Sequence, residues 1–260
     1  MKVTSDLHVH TSLSLCGDQT ADFRDYFPAL NQAGIETVGF ANHFWDKAVF
    51  PADHGFYAPQ TLERMLEWKK ELDAAEHYGI RVLFGGETEM YYDTSVGITT
   101  ENTEKLDYLL IPLTHYHITG FSIKDNNLSD EQVKLLSIER AKAAAKFESK
   151  CPVVLAHFPM FFGVFAERQK QIQGVFTKDE IRSLVSLLAE RKVALELHSS
   201  FACTMDEWIV EFMATAKEHG CKFTFGVDYH SPKSVKEQDY VKLGAFADAC
   251  GIGEDDLLKI

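Results

Sequence analysis

The stretch NQAGIETVGF, Asn31 to Phe40, closes a segment of one hydrophobic period and opens another. Gly34 stands where a helix would end in a left-handed residue, and Thr37, Val38 and Phe40 beyond it are β-branched or aromatic. The recipe recurs in AEHYGIRVLF, Ala75 to Phe84, with Gly79, and in KEHGCKFTF, Lys217 to Phe225, with Gly220. Repeated helix-to-strand junctions predict an α/β chain. Outward from them, the runs Val3–Leu7, Thr37–Ala41, Arg81–Gly85, Tyr108–Pro112, Val153–Ala156, Ala194–Leu197 and Phe223–Val227 read as seven buried parallel strands. The segments between carry helical spacing. In the one after Gln60, Leu62, Met65, Leu66, Lys69 and Leu72 fall three and four apart. No Pro/Ser-rich linker divides the chain, so residues 1–260 are expected to form one closed or nearly closed (β/α) barrel, with a doubly wound open sheet as the alternative.

Lys plus Arg total 26 against 39 Asp plus Glu, a formal net charge of -13, which disfavours a nucleic-acid backbone as partner but leaves room for a small anion beside a bound metal. No window approaches the roughly 20 apolar residues of a membrane span. The five cysteines are scattered, odd in number and never paired as CxxC, which fits a reducing compartment and a cytoplasmic location. The oligomeric state is left open.

The polar residues at the strand ends carry the chemistry. His8 and His10 follow the first strand, His43 the second, Glu87 the third, His115 the fourth, His157 the fifth, His198 the sixth, and Asp228 with His230 the seventh. Residues two apart on an extended chain share a face, so His8 and His10 can look toward one centre, as can Asp228 and His230. A single histidine at a strand end is ordinarily structural, but one metal-ligand residue type at every strand end is a ligand set for zinc, manganese or iron. Gly85 and Gly86 are expected to let the backbone pass close to such a cluster, with the Glu87 carboxylate reaching two ions. His77 and His219, each in an EH pair before a turn, read as helix C-terminal caps, and His54 as a loop residue without a role. Four long excursions follow strand C-termini: Phe44–Ala58, Tyr91–Glu104, Ile118–Asp130 and Phe158–Gly174. The aromatic run FPMFFGVFAER in the last is expected to cover the barrel mouth.

Taken in order, DLHVHTSLS, ANHF, GGETEM, LTHYH, LAHFP and GVDYHS, from Asp6 to Ser231, resemble the motifs of the PHP superfamily, the polymerase and histidinol phosphatase metallohydrolases. The resemblance implies a distorted seven-stranded (β/α)7 barrel, TIM-like and single-domain, holding two to three divalent ions (Zn, Mn or Fe). It implies that His8, His10, Glu87 and Asp228 hold one ion, that Glu87 bridges to a second held by His115 and His157, and that His43 and His230 help hold a third. Where the family commonly has a further histidine, this chain has Cys16, with Asp18 close by; either can be the ligand. ELHSS puts His198 where related proteins often show Asn, as a contact to a ligand or to substrate.

Clustered ions would activate a water as hydroxide and neutralise phosphate oxygens, so hydrolysis of a small phosphomonoester, histidinol phosphate among them, is the expected reaction. Glu87, Asp228 and His230 would carry the catalysis, with His230 or His198 as proton donor. Arg168, backed by Lys124, is the expected cation for the substrate phosphate, and His117 a further substrate contact. The competing readings are a PHP-type nuclease, an amidohydrolase-like C–N hydrolase, and a metal-binding protein without activity.

Overall fold

A computed structural model describes residues 1–260. Seven parallel strands run in chain order: β1 (Ser5–Val9), β2 (Thr37–Phe40), β3 (Arg81–Glu87), β4 (Tyr108–Pro112), β5 (Val153–Ala156), β6 (Ala194–His198) and β7 (Phe223–Gly226). The helices are α1 (Tyr26–Gln32), α2 (Leu62–Ala74), α3 (Asp130–Lys146), α4 (Gln169–Gly174), α5 (Lys178–Glu190), α6 (Ser199–Thr204), α7 (Glu207–Glu218) and α8 (Glu237–Ala249). β7 returns beside β1, where Asp228 N donates to His8 O at 2.8 Å and His10 N to Tyr229 O at 2.8 Å. The sheet is therefore a nearly closed barrel, tied at its C-terminal end. At the other end the final residues lie across the gap, with Leu258 N donating to Phe223 O. No helix is long and apolar enough to cross a membrane.

Gly34, Gly79 and Gly220 all have φ between +81° and +86°, the left-handed closure expected of the three junctions. Two details of the sequence reading change. The first strand lies two residues later than expected, so His8 is inside it. On α2 the buried stripe is Leu62, Met65, Trp68 and Leu72; Lys69 instead pairs with Asp73 at the surface, because the indole fills the space against Phe23, Phe40 and Phe84.

A bulge in β1 decides where the first histidines point. Asp6 pairs with Val38 and Val9 with Phe40, so three steps on β1 oppose two on β2. Leu7 packs inside the barrel with Ala41, Leu83, Tyr108 and Leu110, while Val9 joins the outer core under the helices. His8 and His10 both face inward. Side chains serve the disturbed backbone: Asp6 Oδ1 accepts from His8 N at 3.0 Å and Val227 N at 3.2 Å, and the Tyr108 hydroxyl donates to Leu7 O at 2.6 Å. Tyr240 of α8 donates to Asp6 Oδ2 at 2.9 Å.

The Tyr108 ring crosses the barrel because Gly39 and Gly85 have no side chains; a Cβ at either would lie 2.2 or 2.1 Å from it. Gly86 likewise clears Phe44 and Met65. The glycine pair thus makes room for aromatic and methionine packing beneath the site, not for backbone approach to the cluster as expected from the sequence. Gly39→Ala and Gly85→Ala should each cost about 1–3 kcal/mol, as overpacking does. The measurement is the denaturation midpoint at constant slope; an unmoved midpoint would mean the ring can yield.

Candidate metal centre

Every strand delivers a polar group to the C-terminal mouth, and the groups meet around one carboxylate. Glu87 is 1 % exposed. Its Oε2 lies 3.4 Å from His8 Nε2, 3.3 Å from His10 Nε2 and 3.1 Å from His43 Nδ1; its Oε1 lies 3.3 Å from His157 Nε2 and 3.9 Å from His115 Nε2. Asp228 Oδ1 is 3.4 Å from His8 Nε2 and 3.1 Å from His10 Nε2, and those two nitrogens are 3.1 Å apart. Donors around a tetrahedral ion with bonds of about 2.0–2.1 Å stand about 3.3–3.4 Å from one another. The cluster of His8, His10, Glu87 and Asp228 has that size. Glu87, His115 and His157 form a second group, and His10, Cys16 and His230 a third, each with ligand atoms within 4.8 Å.

Tautomers are set from behind. His8 Nδ1 donates to Glu196 Oε1 at 2.7 Å, His115 Nδ1 to Glu89 Oε2 at 3.0 Å, and His230 Nδ1 to the Asp228 carbonyl at 2.9 Å. For His10 the chain is longer: Ser14 Oγ donates to Asn42 Oδ1, accepts from His43 N, and so accepts from His10 Nδ1 at 3.2 Å. Each ring is left with its other nitrogen available to a cation at the centre. The buried Nδ1 of His43 and the Asp228 Oδ1 have no hydrogen-bond partner, as donors aimed at a cation would not.

Charge balance points the same way. Burial opposes ionisation of Glu87, yet His43, His8 and the hydrogen bonds from His10 and His157 hold it well below the usual carboxylate range; Asp228 behaves alike. Burial works against a charged His8 too, but Glu196, Asp228 and Glu87 outweigh it and keep its pKa well above the usual imidazole value. That second proton sits where a cation would replace it. His157, by contrast, is pushed down to about 4 by burial. Burial and the Glu87 and Asp228 carboxylates push the Cys16 thiol up to about 12, so a thiolate there requires a neighbouring cation. Asp228 at φ +65° and His157 at φ +39° hold left-handed backbone, the local strain that collects at functional positions.

Several expected roles change. Asp18 does not join the cluster: its Oδ1 accepts from Thr20 N and Oγ1 and its Oδ2 from Ser231 Oγ, which pins the Cys16 loop to the His230 loop. Arg168 does not reach the site, because its guanidinium is committed to the Asp130 carboxylate and the Leu128 carbonyl. Lys124 lies over the Tyr92 ring. His198 is buried behind Asp228, its Nε2 3.8 Å from Asp228 Oδ2 and without a hydrogen-bond partner, its Nδ1 accepting from Ser200 N; it is not among the residues that line the cavity. His230 lines the cavity with its Nδ1 proton committed to the Asp228 carbonyl, so any ligand or proton-transfer role falls to its Nε2. His117 lines the cavity beside His115. His77 caps α2 through Leu72 O, His219 is the C-cap residue of α7 with its ring on Ser186, and His54 accepts from Phe56 N with its ring 5.5 Å from that of Phe121 in the loop after β4.

Glu196 and Asp6 were not singled out from the sequence. Glu196 joins His8 Nδ1 to the His157 amide, and Gly226 opens the space for it, since a Cβ there would lie 1.9 Å from Glu196 Oε1. The alternation that selects His198 selects Glu196 two residues earlier; that was the missed signal. Asp6 was hidden by the bulge.

The family comparison matches residues 6–200 to the PHP domain. The chain belongs to this family. The PHP-domain barrel is similar to a histidinol phosphate phosphatase from Lactococcus lactis subsp. lactis Il1403, solved with zinc, L-histidinol and phosphate (TM-score 0.66, 15% identity, 96% of this chain and 94% of that one). A Xaa-Pro dipeptidase with bound methionine (TM-score 0.41, 12% identity, 96% and 75%) and an N-isopropylammelide isopropylaminohydrolase from Burkholderia multivorans ATCC 17616 (TM-score 0.35, 13% identity, 90% and 57%) are too distant to bear on this PHP domain. Comparison with curated proteins gives no match.

Because Glu196 positions two histidines, Glu196→Gln should weaken divalent-ion binding about 10- to 100-fold, as loss of such supporting groups does. Gly226→Ala should do the same by displacing the carboxylate. Calorimetric titration of zinc reads both, and parental affinity in the pair would remove Glu196 from the support of the centre.

Proposed function

We propose that this PHP-domain protein is a metal-dependent phosphoesterase that hydrolyses a small phosphomonoester. The observation that carries the reading is Glu87, a buried carboxylate with five imidazoles around its two oxygens, facing a cavity of about 280 Å³. His8, His10, Glu87 and Asp228 would hold one ion, and Glu87, His115 and His157 a second. Bound ions of this kind polarise phosphoryl oxygens and lower the pKa of water.

The chain's own residues define the rest. Phe56, Tyr57, Ile118 and Phe162 wall the cavity, and its lining includes neither Lys nor Arg. With no cationic fork, a substrate phosphate depends on the ions for its counter-charge. The aromatic walls exclude water and receive the non-phosphoryl part, with His117 at the rim as its polar contact. The cavity's size and its lack of Lys and Arg disfavour an oligonucleotide, and with no lysine in the lining there is no residue to form the carboxylated bridge that would favour a C–N hydrolase. The histidinol phosphate phosphatase of similar fold makes histidinol phosphate the first compound to test.

Glu87→Gln should cut turnover at least about 100-fold on the best substrate of a phosphometabolite panel, without recovery at excess metal, since the bridging charge is gone. Glu89→Gln is the contrast. Glu89 orients His115 and pairs with Arg140, so its loss should be smaller and largely recovered by raising the metal concentration. Equal, unrecoverable losses, or a chelated protein that keeps full activity, would overturn the reading.

A further inference from the structure

Two phenyl rings flank the histidines of the centre. Phe56, in the loop after β2, stands edge-to-face on His43 with ring centroids 5.2 Å apart, and Phe162, in the loop after β5, does the same on His157 at 4.8 Å and His115 at 5.1 Å. Both line the cavity and both are half-buried, so each keeps ring surface for an occupant.

These walls are fixed in advance. Phe56 N donates to His54 Nδ1 at 3.3 Å and the Phe56 carbonyl accepts from Gln60 Nε2 at 2.8 Å. Tyr57 stacks on Phe121 at 5.1 Å and donates its hydroxyl to Glu89. Phe162 N donates to Thr114 O at 3.3 Å, and Gly163 beyond it, at φ +65°, lets the loop pass so close to His117 that a Cβ would lie 2.9 Å from His117 Cα. A rigid wall takes a rigid ring with little ordering cost.

The charges narrow what can sit there. Glu87 and Asp228 are the only carboxylates in the lining, and both belong to the first metal position. Glu89, behind the wall, is engaged by His115, Tyr57 and Arg140. A substrate ammonium would find no carboxylate of its own and would stand beside divalent ions. Ring faces attract ammonium groups only weakly where water still reaches them, and like charge at such short range outweighs that attraction. The lining also offers a leaving oxygen neither Lys nor a carboxylic acid outside the metal position. A phenolate leaves readily without a donor, since its conjugate acid titrates near about 10 as tyrosine does, whereas an aliphatic alkoxide depends on one.

We infer that the substrate is an aryl phosphate whose uncharged ring seats against Phe56 and Phe162, and that phosphates of amino alcohols, histidinol phosphate included, are poor substrates. The inference rests on the phosphoesterase reading. Water attacks phosphorus, the bond from phosphorus to the ring oxygen breaks with its electron pair going to that oxygen, and aryl phosphate dianion plus water becomes phenolate and dihydrogen phosphate.

The test uses the zinc-loaded protein and two readouts. In calorimetry, phenylphosphonate, which cannot be hydrolysed, should bind at least about 30-fold more tightly than aminoethylphosphonate, the difference a buried ring supplies. In turnover, kcat/KM for phenyl phosphate should exceed that for histidinol phosphate and for glycerol phosphate by about 100-fold or more. Phe162→Leu should shrink these ratios about 10-fold through loss of the ring contact. Phe162→Glu, which supplies the missing carboxylate, should reverse the order of the two phosphonates, and zinc counted in both variants reports that the centre is intact. Histidinol phosphate hydrolysed as fast as phenyl phosphate overturns the exclusion of cations. Glycerol phosphate hydrolysed as fast, or ratios unmoved in both zinc-bound variants, overturns the ring seat. In each of these cases the phosphoesterase reading stands; no ester hydrolysed and no phosphonate bound overturns both.

Discussion

A carboxylate sealed inside a barrel needs positive charge, and Glu87 has no permanent cation within reach. The fully buried arginine nearby, Arg140, is committed to Glu89 and the Met90 and Ser122 carbonyls. Leaving an ionised group unpaired in such a place costs several kcal/mol. The chain answers with imidazoles whose tautomers are fixed from outside, by Glu196, Glu89, Ser14 and a backbone carbonyl. Other features follow from that need: the bulge that turns His8 inward, the glycine that clears Glu196, and the left-handed backbone at His157 and Asp228.

The net charge of -13 fits the same logic. A phosphate-binding protein ordinarily brings lysine or arginine to its ligand, but a fixed cation beside Glu87 would compete for the carboxylate with the ions it is built to hold. Arg168 illustrates the division. It lies in the loop after β5, as read from the sequence, yet its charge goes to Asp130, and the same region contributes Phe162 to the cavity wall.

Much of this was legible because barrels place strand ends on a ring. Once the buried β-branched and aromatic runs and the glycine closures located the strands, His8, His10, His43, Glu87, His115, His157, Asp228 and His230 could be assigned to one mouth by position alone. What was not legible depended on through-space partners. Arg168 could not be separated from Asp130, 38 residues away, without the fold. Glu89 and Glu87 share a strand-end motif and differ only in what stands behind them. Asp6 reads as an inward residue by simple alternation, two before His8 and four before His10, and only the extra residue in β1 reverses it.

That reversal has a consequence for cooperativity. Asp6 faces outward to α8, where Tyr240 holds it, and inward along the backbone to the His8 amide. The last helix and the first ligand are therefore fastened through one buried side chain. Fraying of α8 loosens the strand that aims His8, and an ion gripping His8 resists that fraying in return. The C-terminal helix, remote from any substrate, thus belongs to the same local-unfolding unit as the metal centre.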